Sequence, residues 1–368
     1  MKRKRGKTVR QGIIEKMMDG KTDTQKEEKR VRIADIAEEL GLSTATVSNV
    51  IHGKTKKVSQ ETTKRVQHLL EERGYIPSMA GILLAQNDSK IIGVIIQDDV
   101  KYEGRTLQDP FVYGSIDYLL ETVQEHGFEM MIRRTRDCAE VVRYASMWNM
   151  SGLVMIGFCE QDYEEIRSKM HIPLVVYDGF FHEMKRFGNV SVDDFDGGYQ
   201  MGKYLLAKGH RKILFLADNE ICMDKERYEG LCAAVRDYGP HTEAGAVRQI
   251  LPMARTERIG FYERLLPKLP EYTAAFCASD YYAIEFMNVL ARQGICVGKD
   301  FSVAGFDDIP MAERIVPALT TIRQDLKLRA ETAMKLLMLQ KQKDISPEML
   351  NVRIPVELVE RDSVKDCT

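Results

Sequence analysis

The feature that most restricts the fold of this chain is the alternation of strand-like and helix-like segments after residue 90. Short apolar runs typical of buried strands recur between longer segments with helical apolar spacing. The strand-like runs are KIIGVIIQ, FEMMIRR, GLVMIGF and PLVVYD, then KILFLAD, AAFCAS and FSVAGF. The helical stretches lie around 111–126, 138–149 and 161–170, and again near 196–208, 225–238 and 280–293. Two such blocks predict an α/β core of two doubly wound parallel-sheet subdomains with a cleft between them.

Residues 31–76 have the pattern of a small helical unit instead. Apolar residues in RIADIAEELG form one helical stripe, and the segment ends at Gly41, a residue suited to a left-handed turn. Ala37, Gly41 and Val47 have the spacing of a helix-turn-helix. Ala37 is small enough for a second helix to pack over it, Gly41 permits the tight turn, and Val47 anchors the second helix. A third helix is predicted from about Ser59 to Arg73, before Gly74.

The second helix of this unit, within LSTATVSNVIHGK, presents short uncharged polar side chains where a solvated helix would carry long charged ones. In a helix-turn-helix this helix lies in the major groove, where hydroxyls and amides bond to base edges and phosphates. The predicted DNA contacts are Ser43, Thr44, Ala45, Thr46, Ser48, Asn49 and His52. The sequence therefore predicts a headpiece that binds double-stranded DNA.

Charge is distributed unevenly along the chain. Residues 1–85 hold 18 Lys and Arg against 11 Asp and Glu, a balance of +7, although the net charge is −2, so the remainder carries −9. A basic front on an acidic body is expected if only the front meets a polyanion. The basic arm at 1–30 is interpreted either as a disordered leader or as a source of additional contacts to DNA phosphates.

Several classes of protein are excluded or disfavoured by motif searches. There is no apolar run of about 18 residues and no secretory signal, so we expect a cytoplasmic protein without a membrane association. The seven cysteines include no CxxC pair, which favours reduced thiols and argues against a zinc site. GxSxG, HExxH and P-loop motifs are also absent. We therefore expect no catalytic residues, no cofactor, no metal and no enzymatic activity.

Longer stretches resemble one family. VRIADIAEELGLSTATVSNVIHGKTKKVSQETTKRVQHLLEERGYIPSMAGILLA is similar to the headpiece and hinge of the lactose/galactose repressor (LacI/GalR) family. The resemblance continues through KIIGVII, GHRKILFLAD, RYEGLCAAV, FSVAGFDDIP, PALTTIRQD and IPVELVERDS, which together extend to about residue 363. It implies a dimeric transcriptional regulator with a periplasmic-binding-protein-like core, whose operator affinity is set by a ligand or partner bound to that core.

The resemblance also implies a division of the chain. The arm at 1–30 is followed by the headpiece at 31–76, by a hinge helix and linker at 77–89, by the core at 90–363 and by a tail at 364–368. Family crossings near 191–194, 320–324 and 344–348 would assign about 90–192 and 324–344 to the first subdomain. Residues from about 193–321 and 346–363 would then form the second subdomain.

Three aspartates follow predicted strands, where ligands gather in parallel sheets. Asp178 ends PLVVYD, Asp280 follows AAFCAS, and Asp307 follows FSVAGF. Each is interpreted either as an acceptor for ligand hydroxyl groups or as a helix-capping or turn residue. The family position that matches Asp307 faces the effector, which makes Asp307 the stronger of these predictions.

Further effector contacts are implied by family positions. Arg227 matches an arginine that contacts the effector and could bind hydroxyls or a carboxylate, and its alternative is a solvated helix charge. Phe111 and Tyr113 match the first cleft loop, where rings would stack on a sugar or base, although core packing is equally compatible. Ser279 stands where the family often has Asn, so the predicted effector is given only as a sugar or sugar derivative.

The segment PSMAGILLA matches the family's hinge helix, and its Leu84 matches a leucine that wedges into the minor groove. Such a wedge unstacks a base step and favours a flexible pyrimidine–purine step at the operator centre. Gly81 stands where relatives usually have Ala, and Asn49 replaces their usual Arg. Asn49 offers an amide suited to adenine, so we expect a palindromic operator with altered half-site preference.

The function predicted from the sequence is that of a repressor controlled by a small effector. One alternative is the same DNA-binding fold regulated by a protein partner, and another is a sugar-binding receptor without a DNA role. Because one helix-turn-helix contacts few base pairs, a two-fold homodimer is expected on a palindrome. The C-terminal ELVERDSVKDCT contains no leucine heptad, which favours a dimer over a tetramer.

Overall fold

A computed structural model of the chain describes residues 31–76, 89–98, 101, 103–180, 187–239, 244–342 and 345–368. The chain divides into two compact units, residues 1–87 and 88–368. Within the described part, none of the helices combines the length and apolarity that crossing a membrane requires.

The described part of the smaller unit, residues 31–76, contains three helices, as the sequence predicts for this segment. They are α1 (Ile33–Leu40), α2 (Thr44–Ile51) and α3 (Gln60–Glu72), with a 3-10 turn at Thr55–Lys57. Gly41 adopts φ 66°, and Leu42 donates its backbone N–H to the carbonyl of Ala37 at 2.9 Å, which closes α1 with a left-handed turn. The buried core of the unit consists of Ile36, Ala37, Val47, Val50, Val66 and Leu69.

Side-chain caps and one ion pair fix the helix ends of this unit. Ser43 accepts from the backbone N–H of Thr46, and Ser59 accepts from that of Thr62, each at 3.1 Å. Arg73 at the end of α3 contacts Glu39 of α1 at 2.6 Å. Helices α2 and α3 therefore each begin at a serine side-chain cap.

The larger unit begins with a six-stranded parallel sheet. Its strands and helices up to the first crossing are β1 (Ile91–Gln97), α4 (Pro110–Glu125), β2 (Glu129–Thr135), α5 (Cys138–Met147), β3 (Gly152–Ile156), α6 (Glu160–Lys169), β4 (Leu174–Tyr177) and β5 (Gly188–Val192). The strand order is β11-β5-β4-β3-β1-β2, with β11 at Asn351–Ile354. Every pairing between neighbours in this sheet is parallel.

The second sheet follows after the chain leaves β5. Its elements are α7 (Asp194–Ala207), β6 (Lys212–Ala217), α8 (Cys222–Tyr238), β7 (Gly245–Ile250), α9 (Arg255–Leu265), β8 (Ala274–Cys277), α10 (Asp280–Arg292) and β9 (Ser302–Ala304). The strand order is β7-β6-β8-β9, again parallel throughout. The C-terminal region adds β10 (Thr321–Arg323), α11 (Leu326–Leu339) and β12 (Glu357–Val359), and β10 pairs with β12 in antiparallel fashion.

Alternate residues of each strand point to opposite sides of its sheet, and helices cover both sides. In the first sheet, Val94 packs in one core with residues of α4 and α11, whereas Ile95 packs in another with residues of α5 and α6. In the second sheet, Phe215 faces α7 and α8, and Leu216 faces α9 and α10. The predicted fold of two doubly wound parallel-sheet subdomains is confirmed.

The prediction that residues 346–363 belong to the second subdomain is wrong for β11. Val352 of β11 pairs with Val190 of β5 at the edge of the first sheet. The chain thus returns to the second subdomain only after Ile354, because β11 adds its backbone hydrogen bonds to the open edge of β5. The tail at 364–368 packs on the molecule, since Cys367 donates its N–H to the carbonyl of Lys208 at 2.8 Å.

Candidate nucleic-acid interface and ligand cleft

Helix α2 divides its side chains between a core side and an outer side. Val47 and Val50 are buried in the headpiece core. The predicted contact residues lie on the outer side: Ser43, Thr44 and Ala45 are exposed, and Thr46, Ser48, Asn49 and His52 are half-buried. The hydroxyls of Ser43 and Thr46 lie 2.9 Å apart, so these two side chains also form the helix cap. The outer face of α2 is therefore small, polar and uncharged.

Three exposed lysines directly follow α2 and were not among the predicted contacts. Lys54, Lys56 and Lys57 are exposed at and beside the 3-10 turn. The backbone N–H of Lys54 donates to the carbonyl of Asn49 at 2.8 Å, which ties this basic segment to the end of α2. Lysines beside a helix that enters the major groove are suited to contact DNA phosphates. The run KTKK was the available signal for them in the sequence. Leu84 and Gly81, by contrast, lie outside the described residues.

Arg227 lies inside the larger unit and is not a solvated helix charge. It extends from α8, and its Nε and Nη2 atoms both lie 2.8 Å from Oδ1 of Asp194 at the start of α7. Its Nη1 donates to the carbonyl of Ala278, just after β8, at 2.5 Å. The guanidinium carbon lies 3.6 Å from the centre of the Phe306 ring. Arg227 is thus fixed by groups at three points of the second subdomain.

Two glycines allow α7 and α8 to approach closely enough for this pair. A Cβ atom on Gly198 would lie 2.0 Å from the carbonyl oxygen of Arg227, and one on Gly230 would lie 2.0 Å from that of Phe195. Only glycine tolerates such backbone contact between helices. Asp194 was not among the predicted site residues, because its carboxylate meets Arg227 only once the two helices are packed.

Asp307 lies next to this pair. Its backbone has φ 120°, and Gln324 donates to its Oδ1 at 2.7 Å. Burial raises the pKa of Asp307 to about 7, although Arg227 acts in the opposite direction. Burial would also lower the pKa of Arg227, but the carboxylates of Asp194 and Asp307 outweigh it and raise that pKa.

Asp178 joins the same network from the first subdomain. It follows β4 and forms an ion pair with Arg329 of α11. Arg329 in turn donates to Oε1 of Gln324 at 2.9 Å, and Gln324 contacts Asp307. The structure therefore brings together three of the predicted residues, Asp178, Arg227 and Asp307, at the carboxyl ends of strands from both sheets.

Asp280 and Ser279 have internal roles instead. Asp280 is fully buried, and its carboxylate accepts from Thr321 Oγ1 at 2.6 Å and from the backbone N–H of Ile309 at 2.9 Å. Ser279 caps α10 by accepting from the N–H of Tyr282 at 3.4 Å. The contacts of Asp280 correspond to its interpretation as a capping or turn residue, because its carboxylate holds two loops of the second subdomain together.

The two predicted aromatic residues differ in environment. Phe111 packs partly against the main core, and the guanidinium of Arg329 lies 5.3 Å from the centre of its ring. Tyr113 is 43% exposed on α4. Phe111 therefore touches the network that contains Asp178, whereas Tyr113 lies at the surface.

A second carboxylate group, absent from the predictions, lies after β6. Asp218 accepts from the hydroxyl of Tyr282 at 2.7 Å and lies 3.5 Å from Nζ of Lys101. Asn219 donates to Asp218 at 2.7 Å and to Asp224 at 3.0 Å. Burial, followed by the charge of Asp218, raises the pKa of Asp224 to about 8. Burial alone would raise the pKa of Asp218, but Lys101 and Tyr282 help to lower it to about 2.

Models of known protein families match parts of both units of the chain. The lacI family of bacterial regulatory proteins matches residues 32–78, and a periplasmic binding protein-like domain matches residues 203–364. The HTH-type transcriptional repressor PurR of Haemophilus influenzae (strain PittEE) is 30% identical over 347 residues, which cover 90% of this chain and 98% of that protein.

Solved structures resemble the whole fold. The lac repressor dimer bound to operator and the anti-inducer ONPF has a TM-score of 0.78 and 24% identity, covering 92% of this chain and 100% of that chain. The complex of the transcriptional regulator CelR with cellobiose has a TM-score of 0.65 and 22% identity, covering 91% of this chain and 100% of that chain.

The helix-turn-helix unit and the core of two parallel-sheet subdomains, together with these matches, are those of a DNA-binding transcriptional regulator. The chain belongs to the lacI family of bacterial regulatory proteins. The relative described above is named as a repressor and not as an enzyme, in agreement with the prediction of a non-catalytic protein.

Proposed function

We propose that this protein is a repressor that binds a palindromic operator as a homodimer and responds to a small molecule in the cleft of its core. The observation that carries this proposal is the outer face of α2, where short uncharged polar side chains stand beside an exposed run of lysines. Such a face lets the backbone approach base edges while nearby cations contact phosphates.

The relatives support the regulatory part of the proposal. The PurR of Haemophilus influenzae is named as a transcriptional repressor, and the lac repressor has been solved as a dimer with operator and an anti-inducer. CelR has been solved with cellobiose. By analogy, residues 31–76 would form the DNA-binding headpiece, 77–89 the hinge with its Leu84 wedge, and 90–363 the effector-binding and dimerisation core.

The effector contacts that we propose are Asp178, Arg227 and Asp307, with Phe111 beside them. Support comes from the network that joins Asp178 to Asp307 through Arg329 and Gln324. Asp280 and Ser279 are left out, because their side chains hold loops and cap a helix. A molecule with several hydroxyl groups, such as a sugar or sugar derivative, suits a site built from carboxylates and one guanidinium.

Recovery of the genomic DNA bound by the full-length protein tests the proposal. We expect recovered fragments to share a palindrome, and a gel-shift titration should show much tighter binding to it than to random DNA. A panel of sugars and nucleobases added to that complex should contain at least one compound that changes the operator affinity. Equal affinity for recovered and random DNA would contradict the proposed function. Specific binding that responds only to a protein partner would contradict its effector part.

A further inference from the structure

The cleft of the core contains more carboxylates than cations. The carboxylates lie at the ends of β4, β6 and β9 and at the starts of α4, α7 and α8: Asp109, Asp178, Asp194, Asp218, Asp224 and Asp307. The cations in contact with them are Lys101, Arg227 and Arg329. Within the described chain, this region therefore carries an excess of acidic groups.

Each of these cations is already held by acceptors of the protein. Arg227 contacts Asp194 through two nitrogens and the carbonyl of Ala278 through a third. Arg329 is fully buried and contacts Asp178 together with the carbonyl of Val190 at 3.3 Å. Lys101 lies 3.5 Å from Asp218. An anionic ligand would have to compete with these carboxylates for Arg227 and Lys101. At Arg329 both Nη atoms likewise have acceptors already, whereas Nε has no hydrogen-bond partner among the described residues.

A buried carboxylate oxygen without a hydrogen-bond partner in the described part of the chain favours a cationic ligand instead. Asp194 is 1% exposed, and its Oδ1 accepts from Arg227, whereas its Oδ2 has no hydrogen-bond partner among the residues that the structure describes. Oδ1 of Asp178 is in the same situation within the described ranges. Burial, with the nearby charge of Asp178, raises the pKa of Asp194 to about 7 despite Arg227. A buried acceptor without a donor is unfavourable, and a like charge beside it adds to that cost.

We propose that the effector is an amine-bearing polyhydroxyl molecule, whose ammonium group contacts Asp178 and Asp194 while a hydroxyl group lies between Arg227 and Asp307. The ammonium supplies donors to the two unpaired oxygens and relieves the repulsion between the carboxylates. A hydroxyl group can accept from Arg227 and donate to Asp307, whose Oδ1 is taken by Gln324. This inference rests on the proposed function, because it assumes that the effector binds in this cleft.

Calorimetry on the full-length protein with matched sugars tests the inference. The probes are glucosamine, galactosamine and mannosamine, the parent hexoses, the hexose 6-phosphates, and guanine and hypoxanthine. We expect at least one amino sugar to bind at least about tenfold tighter than its parent hexose, as one charge-assisted contact allows. Each hexose 6-phosphate should bind more weakly than its parent hexose. The inference is overturned if a phosphate or nucleobase binds best, if parent and amino sugar bind equally, or if none of the amino sugars binds.

Asp194→Asn is the matched variant for this site. It keeps one oxygen for Arg227 and replaces the unpaired acceptor with an amide donor, so amino sugar and parent should then bind within about twofold. Asp117→Asn, which removes a charge from the exposed face of α4, should keep the wild-type preference. Should Asp194→Asn fail to fold, Asp178→Asn makes the same comparison, since its remaining oxygen can accept from Arg329.

Operator binding separates this inference from the function on which it rests. A neutral or anionic compound that alters operator affinity through the cleft would leave the proposed function intact and show that the amine assignment is wrong. Absence of any specific DNA binding would instead remove the proposed function, whatever sugars the protein binds.

Discussion

Arg227 and Asp194 form a buried ion pair between two helices, with two guanidinium nitrogens 2.8 Å from one carboxylate oxygen. Removing one member of such a pair leaves a charge in a site from which water is excluded. The pair therefore links the candidate effector site to the stability of the second subdomain, and the two roles must be separated experimentally.

Arg227→Ala should lower the free energy of unfolding by about 3–5 kcal/mol, because Asp194 loses its buried partner. Asp307→Asn should fold normally, since its amide oxygen can still accept from Gln324. Urea denaturation measures the first effect. In gel shifts with an identified effector, Asp307→Asn should lose the response while its operator affinity stays near that of the wild type. A wild-type effector response in Asp307→Asn would show that the site is wrongly assigned.

Asn49→Ala should weaken binding to the operator by about 1–3 kcal/mol and leave binding to random DNA nearly unchanged, because an amide reads a base edge. Lys56→Ala should weaken binding to both DNAs and reduce the salt slope by about 1, as loss of one phosphate contact requires. Gel shifts over a range of salt concentrations measure both effects. Lys64→Ala on α3 serves as the control for loss of a positive charge, and a similar salt slope for it and Lys56→Ala would contradict the phosphate role.

Leu84→Ala should weaken operator binding far more than non-specific binding, since only the specific complex is expected to contain a kinked base step. Gly81→Ala should tighten operator binding, because alanine favours a helix by roughly 0.5–1 kcal/mol over glycine. A gel-shift comparison on operator and random DNA measures both variants. An equal loss on the two DNAs for Leu84→Ala is the outcome that rules out a wedge.

The contribution of three buried carboxyl groups to the stability of the core should fall as pH rises from about 5 to 8, and it is opposed up to about pH 6.5 by His210, whose pKa is lowered by burial to about 4. Burial raises the pKa of Asp194 and Asp307 to about 7 and that of Asp224 to about 8, so each holds its proton more tightly in the folded state. The stability that these protonated carboxyl groups contribute is fully present below the carboxylate pKa of the unfolded chain, about 4. It is lost as pH rises through their pKa values in the folded state. Asp218, whose pKa is lowered to about 2, acts only below this range.

Denaturation midpoints at several pH values measure this decline. Asp224→Asn should make it shallower, because the amide has no proton to lose, whereas Asp117→Asn at the surface should leave it as in the wild type. A wild-type slope in Asp224→Asn would contradict the assignment of the decline to these carboxylates.

Asp280→Ala should destabilise the protein by about 1–3 kcal/mol, because the backbone N–H of Ile309 and the hydroxyl of Thr321 lose a buried acceptor. Asp280→Asn retains an acceptor and should cost less. Thermal unfolding measures both variants. If Asp280→Ala kept wild-type stability but lost the effector response, the effector interpretation of this residue would be correct and the structural one wrong.

Local patterns in the sequence determined the helices of the headpiece and the repeating strands of the core. Ala37, Gly41 and Val47 have the spacing that is typical of a helix-turn-helix, and seven apolar runs could form buried strands. Not every strand with mixed polarity was predicted. β7, GAVRQI, is an edge strand whose side chains are half-buried or exposed, so it lacks the apolar signal that marked its neighbours.

Tertiary packing alone decided which polar residues belong to the cleft. Asp280 and Asp307 both follow strands, yet the carboxylate of Asp280 holds internal loops, whereas Asp307 lies beside Arg227. Asp194 gave no signal of its own, since its partner lies 33 residues away and meets it only through the close contact of α7 and α8. A local pattern reports the side of an element on which a residue lies, whereas the ligand environment depends on neighbours that are distant in sequence.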